Sequence, residues 1–443
     1  MITAPSPHER APARFAWPLL GLLSIAFHLW LVFSGLVPNL VSRPIHLMLA
    51  VPWILMVPAG SRAATALGWA LGIATLAGAG WIAWNEAALS DQYGALQGQG
   101  QVVIAALLLI SVLEMARRAI SWPLPLVAGL ALAYGLLGHW VPGEFGHAGM
   151  PLASFLGTLT IAEGGLWGSL TGVSVSIVAI FVIFGAVLNA GEAGQGFMNI
   201  AAAAAGHLRG GAAKVSVISS ALFGSISGSA SANVASTGAI TLPAMTRLGY
   251  PRRLAGAVEA VASSGGQIMP PLMGAGAFVM VELTGVPYTG IMAAALLPAL
   301  LYFITVWLGI DAYAVRHRLA ALPAGQRPAW RVVALTAGFF LVPFAALLWG
   351  MFGAGHTPQY AACLAILLGA LLLFTGADLR FDWPRTRAGW CRCLTAGQQI
   401  ATIASIIFCA SIIVGVLGMT GLGVQVTSVI WRCRAACCGP RCC

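Results

Sequence analysis

Charge is what this chain has least of. Of its 443 residues only 8% are Asp, Glu, Lys or Arg, where a soluble globular chain carries about 25%. So few charges cannot clothe a water-facing surface, and no separate soluble domain is long enough to matter. Cysteine is absent before Cys363, and neither histidine nor cysteine occurs between residues 213 and 283, which removes the usual ligands of a transition metal from that stretch. The N-terminal segment lacks a small-residue cleavage site ahead of its apolar run, so it reads as a retained first helix. HExxH and GxSxG are missing too, and the eight histidines are scattered. An intramembrane enzyme, one alternative for so apolar a chain, would need a nucleophile with a base or a metal cluster at depth, and the many serines lack a GxSxG arrangement and a nearby basic partner. A passive channel, the other alternative, would show a repeated ring-forming filter, and none is visible.

What is present is hydrophobicity, at 59% of the residues. Apolar windows recur from residue 17 to residue 418 and predict about eleven helical passes by span length, giving an all-α, polytopic membrane protein. The net charge of +10 could suggest nucleic acid, but the positive residues sort by side. With the N-terminus in the cytoplasm, Arg62, Arg117, Arg118, Lys214, Arg252, Arg253 and most others fall in cytoplasmic connections, and before the tail only Arg43 falls outside. That bias is the positive-inside pattern of an inner-membrane protein, and it leaves nucleic-acid binding without support.

Three regions differ in character. Residues 1–149 hold plain hydrophobic spans; Glu114, near the basic end of one, reads as an interfacial acid offset by Arg117 and Arg118. Residues 150–426 are richer in Gly, Ser and Pro and contain every interrupted segment. Within them, residues 192–211 suit a short helix at the cytoplasmic interface. Residues 427–443 form a tail in which five of the nine cysteines crowd into WRCRAACCGPRCC. That composition predicts a chain truncated or shifted in frame after about Val426, rather than a metal site.

The run VSVISSALFGSISGSASANVASTGAIT, ending at Thr241, carries no charge and is too rich in Gly and Ser for an ordinary span. Its arms on either side of Gly224 to Ser231 are each shorter than the roughly 20 residues a crossing needs. Irregular backbone at membrane depth is tolerated only inside protein or along a wet cavity, so residues 213–244 are expected to form a re-entrant hairpin with its tip at a binding site. A helix then starts near Leu254, breaks at GGQIMPP, and resumes to about residue 282. Proline removes a backbone donor and clashes with the preceding turn, so this is a discontinuous helix. Its free carbonyls suit a small cation and its free amides an anion. Set against Ser227, Ser229, Ser231 and Asn233, the break would make a neutral, all-oxygen cage, which suits Na⁺ better than a transition metal. Small residues also serve close helix packing, and the SGSASA run by itself fits that reading. Glu259 is the one carboxylate at depth here, either a coupling group or a structural acid.

The run GSISGSASANVASTGAITLPAMTRLGYPRRLAGAVEAVASSGGQIMPP resembles the large membrane subunit of tripartite ATP-independent periplasmic (TRAP) transporters, and in particular the fused permeases of the TAXI branch, in which a small subunit precedes the large one. The resemblance covers about residues 15–426. It implies half of an inverted-repeat transporter that imports an organic acid by symport with Na⁺ or H⁺, with no cofactor beyond the ion, and with a periplasmic solute-binding protein as partner. It places the cation on Ser229, Ser231 and Asn233 of the hairpin and on Gly266, Met269 and Pro270 of the break. The family's second repeat has no counterpart after Val426, so this polypeptide alone is not expected to transport.

Overall fold

A computed structural model describes residues 13–376, 380–381 and 383–437. Helices account for nearly all of it: α1 (Ala13–Phe33), α2 (Asn39–Leu55), α3 (Arg62–Trp84), α4 (Glu86–Ser90), α5 (Gly98–Ile120), α6 (Pro123–Leu137) and α7 (Leu152–Thr160) come first. Then follow α8 (Ser169–Val173), running through a π-type turn into α9 (Ala179–Ala190), and α10 (Ala193–Ala205), α11 (Gly211–Ser227), α12 (Ala230–Arg247), α13 (Arg252–Gly265) and α14 (Ala275–Thr284). The chain continues with α15 (Tyr288–His317), α16 (Trp330–Leu348), α17 (Pro358–Leu372), α18 (Trp383–Cys393), α19 (Ala396–Thr420) and α20 (Leu422–Cys437). The described residues contain no strand, only an isolated bridge between Thr375 and Phe381. The all-α expectation holds.

Among the described residues, seven helices are long and apolar enough to cross a membrane, fewer than the eleven apolar windows. Three of the four windows outside this set lie on shorter or divided helices. That at residues 45–59 belongs to α2, of 17 residues, that at 359–376 to α17, of 15, and that at 254–282 is split between α13 and α14.

The described residues form two compact units, one within residues 13–32 and 176–396, the other within residues 33–175 and 397–437. They cut across the changes of composition near residues 149 and 427, since units follow contacts and composition follows polarity. α20 runs straight through Thr427; the last cysteines of the tail, from Cys438, lie outside the described residues.

In the second unit, α5 packs on α3 and α6, and α2 on α3. Glu114 accepts from Arg117 at 2.6 and 2.7 Å and from Arg118 at 2.7 Å, as the sequence suggested. Arg118 also donates to the carbonyls of Leu55 and Ala64, tying α5 to the end of α2 and the start of α3. Arg43 departs from expectation. It lies inside α2 instead of in a connection, and its buried guanidinium donates to the Trp167 carbonyl. His46, one turn on, bonds Ser174 Oγ at 3.0 Å. An arginine with a hydrogen-bonded guanidinium can be buried where an unpaired one cannot.

In the first unit, α10 is the short helix expected over residues 192–211, and it packs on α11 and α16. Gly196, Phe197 and Asn199 are buried, Phe197 stacks edge-on against Phe340 of α16 at 4.6 Å, and Asn199 donates to Thr336 at 3.0 Å. Glycine at 196 permits this approach, since a Cβ there would lie 2.5 Å from the Thr336 carbonyl. Lys214, the only lysine in the chain, also leaves its expected connection. It is buried in the first turn of α11, with Nζ 2.5 Å from Asp311 and 5.0 Å from the Trp307 ring centroid of α15. Asp311 is 41% exposed and Lys214 5%, so the two sides of this pair are unequal. Asp311→Ala strands a buried ammonium, whereas Lys214→Met leaves a carboxylate that water can reach. Thermal unfolding in detergent should therefore show the larger loss for Asp311→Ala; the reverse order would contradict the burial.

Candidate functional site

The hairpin is present, wider and tighter than expected. α11 and α12 occupy residues 211–247, and only Gly228 and Ser229 separate them. The SISGSAS centre is therefore mostly helical, which corrects the expectation of an irregular stretch from Gly224 to Ser231. Its polar residues close the two helix ends locally. Gly228 sits at φ +59, where glycine is favoured, and donates its N–H to the Gly224 carbonyl at 3.1 Å. Ser229 caps α12 by accepting from the Ala232 N–H at 3.4 Å.

The helix break is also present, over Gly266–Gly274, and contains a cis peptide between Pro270 and Pro271. The hairpin tip lies directly against it. A Cβ on Gly224 would fall 2.2 Å from the Gly266 Cα, and one on Gly228 1.8 Å from the Met273 carbonyl oxygen. Leu272 donates its N–H to the Ser225 carbonyl at 3.2 Å, so backbone joins backbone across the contact. Tyr288 of α15 covers the far side, its hydroxyl donating to the Pro271 carbonyl. Four helix ends thus gather in one place. The C-terminal ends of α11 and α13 bring carbonyls, which attract a cation; the N-terminal ends of α12 and α14 bring amides, which attract an anion.

Of the residues expected to hold a cation, Asn233 and Gly266 are brought together, since a Cβ on Gly266 would lie 2.7 Å from Asn233 Nδ2. Asn233 is fully buried, and its Nδ2 donates to the carbonyls of Ser220 at 2.9 Å and Ser263 at 3.4 Å. Its amide nitrogen is therefore spent on joining the three helices. Ser229 and Ser231 pair with each other at 3.2 Å; Ser231 is exposed at the tip. Met269 and Pro270 are half-buried in the break, and the Met269 carbonyl accepts the Met273 N–H at 3.3 Å. Ser227, at the last position of α11, holds a buried hydroxyl with no hydrogen-bond partner among the described residues.

Glu259 of α13 is 1% exposed and forms the centre of a hydroxyl cluster. Its carboxylate accepts from Ser216 at 2.7 Å, from Ser263 at 3.3 Å, and from Thr237 and Thr241. One side chain so holds both arms of the hairpin on α13. Thr237 and Thr241 each have a second acceptor, the Asn233 carbonyl at 2.8 Å and the Thr237 carbonyl at 3.0 Å. Sequence reasoning missed these partners, although a signal was available. Ser216, Ser220 and Gly224 on α11, Asn233, Thr237 and Thr241 on α12, and Glu259 and Ser263 on α13 are each spaced by four, which aligns them on one face of each helix.

A family model of the tripartite ATP-independent periplasmic transporter, DctM component, matches residues 107–436. Among curated proteins, a C4-dicarboxylate TRAP transporter large permease protein of Pseudomonas aeruginosa is 30% identical over 209 residues, 46% of this chain and 48% of that protein. An ectoine/5-hydroxyectoine TRAP transporter large permease protein of Ruegeria pomeroyi is 25% identical over 252 residues, 56% of this chain and 58% of its own length. An isethionate TRAP transporter permease protein of Oleidesulfovibrio alaskensis is 28% identical over 151 residues, 34% and 24% of the two chains. The chain spans about half the length of the first two of these relatives. With the hairpin and the broken helix in mutual contact and three quarters of its length matched, this multi-pass membrane chain belongs to the tripartite ATP-independent periplasmic transporter family, as a DctM component.

Proposed function

We propose that the chain is the permease component of a secondary transporter that imports a small organic acid by symport with Na⁺, H⁺ being the alternative coupling ion. A solute-binding protein delivers the solute from the far side of the inner membrane, and the N-terminus faces the cytoplasm. Support for the cation comes foremost from Ser227. A buried hydroxyl without a partner is uncommon and calls for a ligand or water. It stands at the end of α11, where the carbonyl ends of α11 and α13 converge. Neutral oxygens favour a hard, weakly polarising ion such as Na⁺. Support for an acidic solute comes from the amide ends of α12 and α14, and from relatives named for C4-dicarboxylates and isethionate, both anions. The TAXI branch and the fused small subunit belong to the same proposal: they fit a family match that begins only at residue 107 and the plain helices before it.

The reading is tested by a cysteine placed at Ser229. Na⁺ should slow its modification by a water-soluble maleimide, above the constant background that the chain without the added cysteine shows, and Asn233→Ala should abolish that protection. Modification at the same rate with and without Na⁺ would remove the proposed cation site.

A further inference from the structure

We propose a second binding site, for one anionic phospholipid, in a cleft of about 470 Å³ between α3, α5 and α6. The volume is in the range of small-ligand sites, but its walls exclude a polar ligand. They are Leu67 and Leu71 of α3, Ile110 and Leu113 of α5, and Leu126 and Leu130 of α6, with no hydrogen-bonding side chain along their length. An acyl chain is the occupant such walls accept from a membrane. The cleft has its polar groups in Glu114 and Arg117, with Trp122 beside them.

The charge there is unbalanced. Glu114 serves two guanidiniums, and Arg118 spends its other donors on the carbonyls of Leu55 and Ala64. Arg117 gives Nε and Nη2 to Glu114, which leaves Nη1 without a hydrogen-bond partner among the described residues. Its guanidinium lies 5.4 Å from the Trp122 ring centroid, a cation–π contact that holds it at the mouth. One uncompensated positive charge, a spare N–H pair and an interfacial tryptophan above an apolar slot complement a phosphodiester with its tails. Gly129 keeps the slot open, since a Cβ at that position would meet nothing within 4 Å.

Native mass spectrometry of the detergent-solubilised chain with dioleoyl phosphatidylglycerol or dioleoyl phosphatidylcholine tests this. Phosphatidylglycerol should be retained about fivefold better, the factor expected of one basic residue near an anionic headgroup. Arg117→Gln should bring the two lipids to parity, with Arg118 still paired to Glu114. Gly129→Leu should reduce retention of both lipids without lowering the unfolding temperature, as its side chain enters open space. A preference that survives Arg117→Gln, or retention unaffected by Gly129→Leu, would overturn the site. So would a Gly129→Leu phenotype confined to loss of a dimer, which would make a second copy the occupant.

Discussion

Gly224→Ala is expected to destabilise the chain by about 1–3 kcal/mol, the range for a side chain forced into a filled space, and to abolish Na⁺ protection of the cysteine at Ser229. The added Cβ meets the Gly266 Cα at 2.2 Å and its carbonyl carbon at 3.1 Å. Both are backbone atoms, so no rotamer change relieves the clash. The two helices must separate, and the carbonyl ends of α11 and α13 separate with them. Gly266→Ala should behave alike, because its Cβ meets Gly224 Cα at 2.8 Å and Asn233 Nδ2 at 2.7 Å. Gly256→Ala provides the control. It lies in α13 with nothing within 4 Å of its Cβ, and alanine there should stabilise by about 0.5–1 kcal/mol through helix propensity alone. Thermal unfolding in detergent reads all three variants. If Gly224→Ala unfolds with Gly256→Ala and keeps its Na⁺ protection, the two breaks are not in contact.

Glu259→Ala should cost about 2–4 kcal/mol, combining an orphaned donor with the space left by the side chain. Four hydroxyls lose their shared acceptor, but not all suffer equally. Thr237 and Thr241 can turn to backbone carbonyls of their own helix, and Ser263 keeps a hydroxyl contact with Ser220 at 3.4 Å. Ser216 has Glu259 alone, so the α11 arm should detach first. Glu259→Gln keeps the volume and one acceptor oxygen, and its loss should be about half as large. Both variants should also raise maleimide access at position 229 in the absence of Na⁺, because the carboxylate holds both hairpin arms. An unfolding temperature for Glu259→Ala equal to that of the unsubstituted chain would remove Glu259 from the centre of the cluster.

The outline of the site was legible in the sequence because its causes are local. A Gly/Ser run too short and too polar to span, and a GGQIMPP interruption in an apolar helix, break α-helices wherever they occur. Their positions were therefore within a few residues of the helix ends observed. The exact turn was not legible. Serine at 229 can cap a helix or line a loop, and only the N–H of Ala232 within reach distinguishes the two. Nor were the partners of Glu259, since its donors come from three helices and their sequence separations run from 4 to 43 residues. The spacing by four showed which faces were polar, not which faces met.

Arg43 and Lys214 make the same point for charge. The sequence places both in connections because an ionised group is costly in lipid. In the fold, the Trp167 carbonyl meets one and Asp311 and Trp307 meet the other, and neither partner is within reach along the sequence. By itself the sequence determined the helical class, the membrane setting and the places where helices must stop, all consequences of hydrophobicity and backbone preference summed over short windows. Only the tertiary structure decided that the two stops lie glycine to glycine, that one carboxylate gathers four hydroxyls, and that the Ser227 hydroxyl has no partner among the described residues. Those outcomes depend on which faces come into contact, and contact between distant segments is fixed by packing the whole unit at once.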